Sequence, residues 1–107
     1  MNECILVLTT MPADARADSL ARTLVEERLA ACVNVHVQMT STYRWQGTIE
    51  VEAERQVVIK TMRANLTALE ARLRALHPYD VPEFIVLGGT ADDAYGAWIA
   101  EVTSPSV

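Results

Sequence analysis

From Val33 to Trp45 the chain alternates without a break, with Val33, Val35, Val37, Met39, Ser41, Tyr43 and Trp45 on one side and Asn34, His36, Gln38, Thr40, Thr42 and Arg44 on the other. After Gln46-Gly47 the pattern resumes, with Ile49, Val51, Ala53, Arg55, Val57 and Ile59 opposed by Glu50, Glu52, Glu54 and Gln56. A sustained period of two marks a strand, and two such runs about a glycine-containing turn make a hairpin. Partners across a ladder share a face, which constrains the register. A three-residue loop ending at Thr48 pairs Trp45 with Ile49, Tyr43 with Val51 and Val37 with Val57, and sets Arg44 opposite Glu50. A two-residue loop instead puts Tyr43 beside Glu50. The pattern therefore predicts an odd-length loop or a bulge near Gly47.

This hairpin outgrows any helix the chain can lay on it. The run from Val33 to Trp45 reaches about 43 Å at about 3.3 Å per residue, whereas the helical run from Met62 to Leu76 covers only about 22 Å. The end carrying Tyr43, Trp45, Ile49 and Val51 thus has no cover within its own chain. An apolar patch on long strand edges predicts a homo-oligomer in which hairpins pair across subunits.

The remaining elements follow from local pattern. Cys4 to Leu8 is an apolar run suited to a strand covered on both faces, stopped by Thr9-Thr10-Met11-Pro12. Between Ala13 and Leu29, Ala17, Leu20, Ala21, Leu24 and Leu29 recur near helical spacing, with Asp14 and Arg28 at the ends that the dipole favours. Leu66, Leu69, Leu73 and Leu76 mark a second helix over 62–76, ended by Pro78. Phe84 to Leu87 reads as a short strand closed by Gly88-Gly89, and Thr90 as the N-cap of a third helix with Tyr95, Trp98, Ile99 and Val102 on one face. The order βαββαβ plus a C-terminal helix predicts an α+β, ferredoxin-like sandwich, as one domain over 1–107.

Composition narrows the partners. Fourteen acids against nine bases give a formal charge of −5 over 107 residues, and no basic cluster exists to hold a phosphate backbone, so nucleic acid is not the expected partner. No apolar run approaches the ~20 residues that span a bilayer, so no membrane partner is expected. A strand beginning at Cys4 leaves no room for a secretory leader, which predicts a soluble, cytoplasmic protein. Cys4 and Cys32, outside any CxxC spacing, read as reduced core thiols.

Few residues are placed to carry chemistry. The common nucleotide and hydrolase motifs do not occur, and His36 and His77 are the only histidines. Glu50, Glu52 and Glu54 stand at steps of two, a row that attracts cations but more often forms a solvated face that discourages faulty edge pairing. The stretch Leu76 to Glu83, "LHPYDVPE", sets an imidazole, a phenol and two carboxylates between helix and strand. Pro78 and Pro82 stiffen it, which is how a binding site is preorganised. Its structural reading has Tyr79 as a lid on the core and His77 capping the second helix.

Taken together, "LVEERLAACVNV", "STYRWQGTIE", "IKT", "HPYDVPE" and "YGAWI" resemble the divalent-cation tolerance (CutA) family from Leu6 to Ile99. The resemblance implies a homotrimer built by the long hairpins, similar in architecture to the PII signalling proteins, with a role in tolerance to divalent metals, notably copper, and no enzymatic reaction. It also implies an inter-subunit cleft for a cation or small ligand, formed by Trp45, Glu52, Lys60, Tyr79, Pro82, Glu83 and Trp98, with His77 as the metal ligand. Copper-linked members carry Cys where this chain has Thr9 and a His-His pair where it has Leu76-His77, so weak copper binding through His77 and a carboxylate is what remains. Alternatives are a PII-like signalling module acting through a protein partner, and an enzyme using Glu83, Lys60 and Tyr79 as acid, base and positioner.

Overall fold

The chain begins with an edge-to-edge commitment: an eleven-residue strand, β1 (Asn2–Pro12), whose odd positions Ile5, Val7, Thr9 and Met11 are buried while its even positions are only half-buried. A computed structural model describes residues 1–105. After β1 come α1 (Arg16–Glu26), β2 (Cys32–Trp45), β3 (Thr48–Thr61), a single 3-10 turn at Arg63–Asn65, α2 (Leu66–Leu76), β4 (Ile85–Ala91) and α3 (Asp93–Val102). The strands form one antiparallel sheet in the order β2-β3-β1-β4. The connections β1-α1-β2 and β3-α2-β4 each leap over one strand, so this is the split βαβ arrangement, with a third helix added.

Burial explains the layering. The core joins Ile5, Val7 and Met11 of β1 and Val57 and Ile59 of β3 to Ala17, Leu20 and Leu24 of α1 and Leu69 and Leu73 of α2. α1 and α2 therefore cover the face carrying the odd residues of β1, and the even residues of β1 lie on the open face. Asp14 opens α1 by accepting from the Arg16 backbone N–H at 2.9 Å and from its guanidinium, which holds the Asp14 carboxyl down at about 2. α3 closes onto the start of β1 through Gly96, where a Cβ would come within 2.6 Å of Asn2 Cβ.

The hairpin departs from the expected register. Its loop is the two residues Gln46 and Gly47, at φ 49° and 82°, and the ladder runs Trp45 to Thr48, Arg44 to Ile49 and Tyr43 to Glu50. Both central residues in the left-handed region make this a type I′ loop, whose twist matches that of the strands. The bulge lies well away from Gly47: Val35 pairs with Val57 but Gln38 with Arg55, so His36 and Val37 together oppose Gln56. Val33 and Val35 pack on the core, yet beyond the bulge the odd residues of β2 pair with the even residues of β3. Tyr43, Ser41 and Met39 thus share a face with Glu50, Glu52 and Glu54. Face-sharing among apolar residues decides register only where there is a core, and the outer hairpin has none, so turn chemistry decides it there.

Other boundaries also moved. α1 and α2 are shorter than their periodic runs, and β1 and β4 are longer. Gly88 and Gly89 lie inside β4, opposite Ile5 and Cys4, and do not end it. Asp92, not Thr90, caps α3, its carboxylate accepting from the Tyr95 N–H at 3.1 Å. Cys4 and Cys32 are free thiols, half-buried at the sheet and outside the core. The molecule measures 47 × 26 × 23 Å, its long axis set by the hairpin. Ile49 and Val51 on that hairpin are 55% and 64% exposed, and the outer strand β4 exposes Ile85, Val86 and Leu87.

Candidate functional site

Where the hairpin outruns the helices, a cleft of about 690 Å³ opens on the open face of the sheet. One wall is the hairpin itself: Met39, Ser41, Tyr43 and Trp45 from β2 beside Glu52, Glu54 and Gln56 from β3. The opposite wall is the stiff segment after α2, contributing Tyr79, Asp80, Val81, Pro82 and Glu83. The bulge makes this possible, because it turns the odd residues of outer β2 to the same side as the even glutamates.

Three hydrogen bonds hold the two walls in place. The Tyr79 hydroxyl donates to Glu54 Oε2 at 2.8 Å, and Gln56 Nε2 donates to Glu83 Oε2 at 3.0 Å and to the Thr9 carbonyl at 2.7 Å. Burial of the Tyr79 ring and its bond to Glu54 push the phenol far above its ordinary value, so it stays a donor. Glu54 is only 8% exposed, which makes it the buried member of a row that the alternation presents as solvated. Sequence reasoning did not single out the Glu54–Tyr79 pair. Its available signal was a carboxylate on an alternating strand whose same-face neighbours, Glu52 and Gln56, carry no positive charge.

His77 acts as a peg for the segment and leaves the α2 carbonyls to the backbone. Its Nε2 lies 2.8 Å from the Thr10 carbonyl and its Nδ1 accepts from the Tyr79 N–H at 3.1 Å, while its ring meets Tyr79 at 4.8 Å between centroids. The helix end is closed instead by the His77 backbone N–H on the Leu73 carbonyl. Burial lowers the His77 pKa, against the opposing pull of the Thr10 carbonyl and Glu54. A neutral ring with Nε2–H donating satisfies both contacts.

Of the residues assigned to a cleft, Trp45, Glu52, Tyr79, Pro82 and Glu83 do line it, and His77 stands directly behind Tyr79. Lys60 and Trp98 belong elsewhere in the same chain. Lys60 Nζ sits 5.8 Å above the Tyr95 ring, and Tyr95 packs on Trp98 at 5.4 Å, all beside α3. The acid, base and positioner of the enzymatic alternative are therefore not gathered in one chain: Glu83 holds Gln56, Tyr79 holds Glu54 and Lys60 lies over the Tyr95 ring. Thr9 is fully buried and faces the core, away from the cleft.

A divalent metal ion needs several oxygen or nitrogen donors converging on one point. Among the described residues no group of three His, Cys, Asp or Glu side chains is so placed, and His77 has both ring nitrogens engaged within the chain. A single subunit therefore does not fit a resident metal, and the expectation of His77 as its ligand meets this geometry as an obstacle.

The family model described as CutA1 divalent ion tolerance protein matches residues 5–102. The chain belongs to the CutA1 family. The divalent-cation tolerance protein CutA of Thermus thermophilus is 42% identical over 99 residues, 92% of this chain and 96% of that protein. The crystal structure of CutA from Xylella fastidiosa superposes with a TM-score of 0.90 at 41% identity, covering 94% of this chain and 98% of that one. The CutA of Archaeoglobus fulgidus, 26% identical with a TM-score of 0.89 over 94% of this chain and 99% of its own, is described as periplasmic. The α+β fold with its four-stranded antiparallel sheet and three helices is thus that of solved CutA1 family members. Among the described residues no helix is long and apolar enough to cross a membrane.

Proposed function

We propose that this chain is the subunit of a cytoplasmic, non-enzymatic homotrimer that serves in tolerance of divalent metal ions, copper among them. Each hairpin cleft, closed by a neighbouring subunit, receives a cation or small ligand. The observation that carries this reading is the cleft's construction: a preorganised wall of Tyr79 to Glu83, facing an acidic, aromatic hairpin whose reverse side carries exposed Ile49 and Val51. An exposed apolar strand face with an open β4 edge favours burial against another copy. Lys60 and Trp98, distant from the cleft within one chain, join it in this reading from the neighbouring subunit. Copper would bind weakly, through carboxylates of two chains.

Native mass spectrometry of untagged protein, purified without chelator and then titrated with copper(II), tests the proposal. A trimer that takes up a discrete mass supports it. A monomer at micromolar concentration overturns the assembly, and a trimer that takes up no ligand or metal overturns the binding role.

A further inference from the structure

We propose that Arg28 is a positioning residue for the assembled cleft: it fixes the C-terminal end of α3, and with it the place where that helix presents Trp98. The inference rests on the reading that brings Trp98 and Lys60 into a neighbouring subunit's cleft. Among the described residues three adopt a left-handed backbone, and the hairpin loop accounts for two of them, Gln46 and Gly47. The third is Arg28, at φ 60°. It stands just past the end of α1, where its own N–H bonds the Val25 carbonyl at 3.1 Å and the Leu29 N–H bonds the Leu24 carbonyl at 3.0 Å. A helix that turns off in this way favours glycine, because a Cβ is strained there. An arginine in that place is a local misfit, and such misfits persist where the rest of the structure holds the side chain to a task.

The side chain shows what the task is. Arg28 Nη1 donates to the Val102 carbonyl at 3.2 Å, across 74 residues of chain. Val102 ends α3, one turn beyond Trp98. The other carbonyls of that turn are met locally: Ile99 by the Thr103 N–H and hydroxyl, Ala100 by the Ser104 hydroxyl, and Glu101 by the Ser104 N–H. The last carbonyl is met from another element, and α3 has no basic residue in its own last turn, so Arg28 also supplies the cation that the helix dipole favours there. The start of α3 is already seated on β1, with Asn2 Nδ2 donating to the Asp93 carbonyl at 3.4 Å and Gly96 set closely against Asn2. A helix fixed at its start is steered from its far end, and the packed pair Tyr95 and Trp98 lies between the two anchors.

Hydrogen-exchange mass spectrometry on the parent protein, Arg28→Gly and Arg28→Lys is the test, joined to subunit exchange between unlabelled and isotope-labelled protein followed by native mass spectrometry. Glycine suits the backbone and removes the guanidinium. Amide exchange should therefore quicken several-fold over residues 99–104, while the end of α1 over 24–30 exchanges no faster than in the parent. Lysine keeps a cation at the helix end and should restore slow exchange over 99–104, a pattern that a role confined to the α1 turn does not give. Subunits should exchange several-fold faster in Arg28→Gly and near the parent rate in Arg28→Lys. Unchanged amide exchange at the end of α3, equal loosening of α1 and α3, or a lysine variant that behaves as the glycine one overturns the inference. So does an end of α3 that loosens while subunit exchange keeps its parent rate. A parent protein that forms no mixed assemblies because it is monomeric overturns the cleft reading and this role with it, so the parent alone tells the two failures apart.

Discussion

Tyr79 shows what a single side chain does when it serves as both wall and tether. Its hydroxyl is the hydrogen-bond partner of a carboxylate at the edge of the core, so removing it leaves Glu54 with a desolvated charge. Tyr79→Phe should cost about 1–3 kcal/mol, measured by urea denaturation, and Glu54→Gln in the same background should recover part of that loss. Thr9 is the opposite case. Its hydroxyl is buried without a hydrogen-bond partner, so Thr9→Val should leave stability unchanged or raise it by up to about 1 kcal/mol. His77 adds a pH dependence with a definite sign. Its pKa in the folded protein is depressed below the ordinary 6.5, so its contribution is fully present above 6.5 and lost as pH falls through the folded value. Thermal melts at pH 8 and pH 5 should show an acid-side loss that shrinks in His77→Gln, and an equal loss in both proteins would refute the assignment.

At the scale of elements, the hairpin depends on two local devices, one at each end of its outer half. Gly47 at φ 82° meets no atom within 4 Å of an added Cβ, so Gly47→Ala should cost about 1 kcal/mol from backbone conformation alone. The bulge is held by Arg55, whose Nε donates to the His36 carbonyl at 2.9 Å while its guanidinium reaches Asp18 on α1 at 3.0 Å. Asp18 is exposed and screened, so most of the loss in Arg55→Met should come from the stranded carbonyl, and hydrogen exchange should quicken around residues 35–38. The bulge also shows what was legible in the sequence. Alternation in β2 and β3, and leucine spacing in α2, reported the elements, their order and the sheet topology, because each responds to one buried face. The change of facing at His36-Val37 left no mark, since the outer hairpin has no core to punish the wrong residue. The stiff proline segment announced one wall of the cleft, but the wall it faces depended on that unmarked change.

On the scale of the molecule, the sheet is built for more surface than one chain can cover. Helices α1 and α2 shelter only the inner half, and the open β4 edge and outer hairpin carry apolar side chains into solvent. In the proposed trimer these surfaces are interior, so Val51→Asp should dissociate the assembly in sedimentation velocity and lower its melting temperature. An unchanged sedimentation coefficient would remove this face from the interface. Parent protein should melt at higher temperature as concentration rises, as any folded state stabilised by association must.

The two-against-one step at His36-Val37 reaches past this chain to the comparison of any two family members. A strand can lose that extra residue and keep every facing and every ladder partner on both sides, so its presence is nearly invisible to function. Sequence alignment is not so forgiving. A gap set nearer the turn would slide Arg44 into the column of Tyr43 or Thr40 into that of Met39, and would exchange cleft residues for their opposites while leaving the core columns correct. Homology at this cleft has to be counted from the turn inward, and not from the core outward.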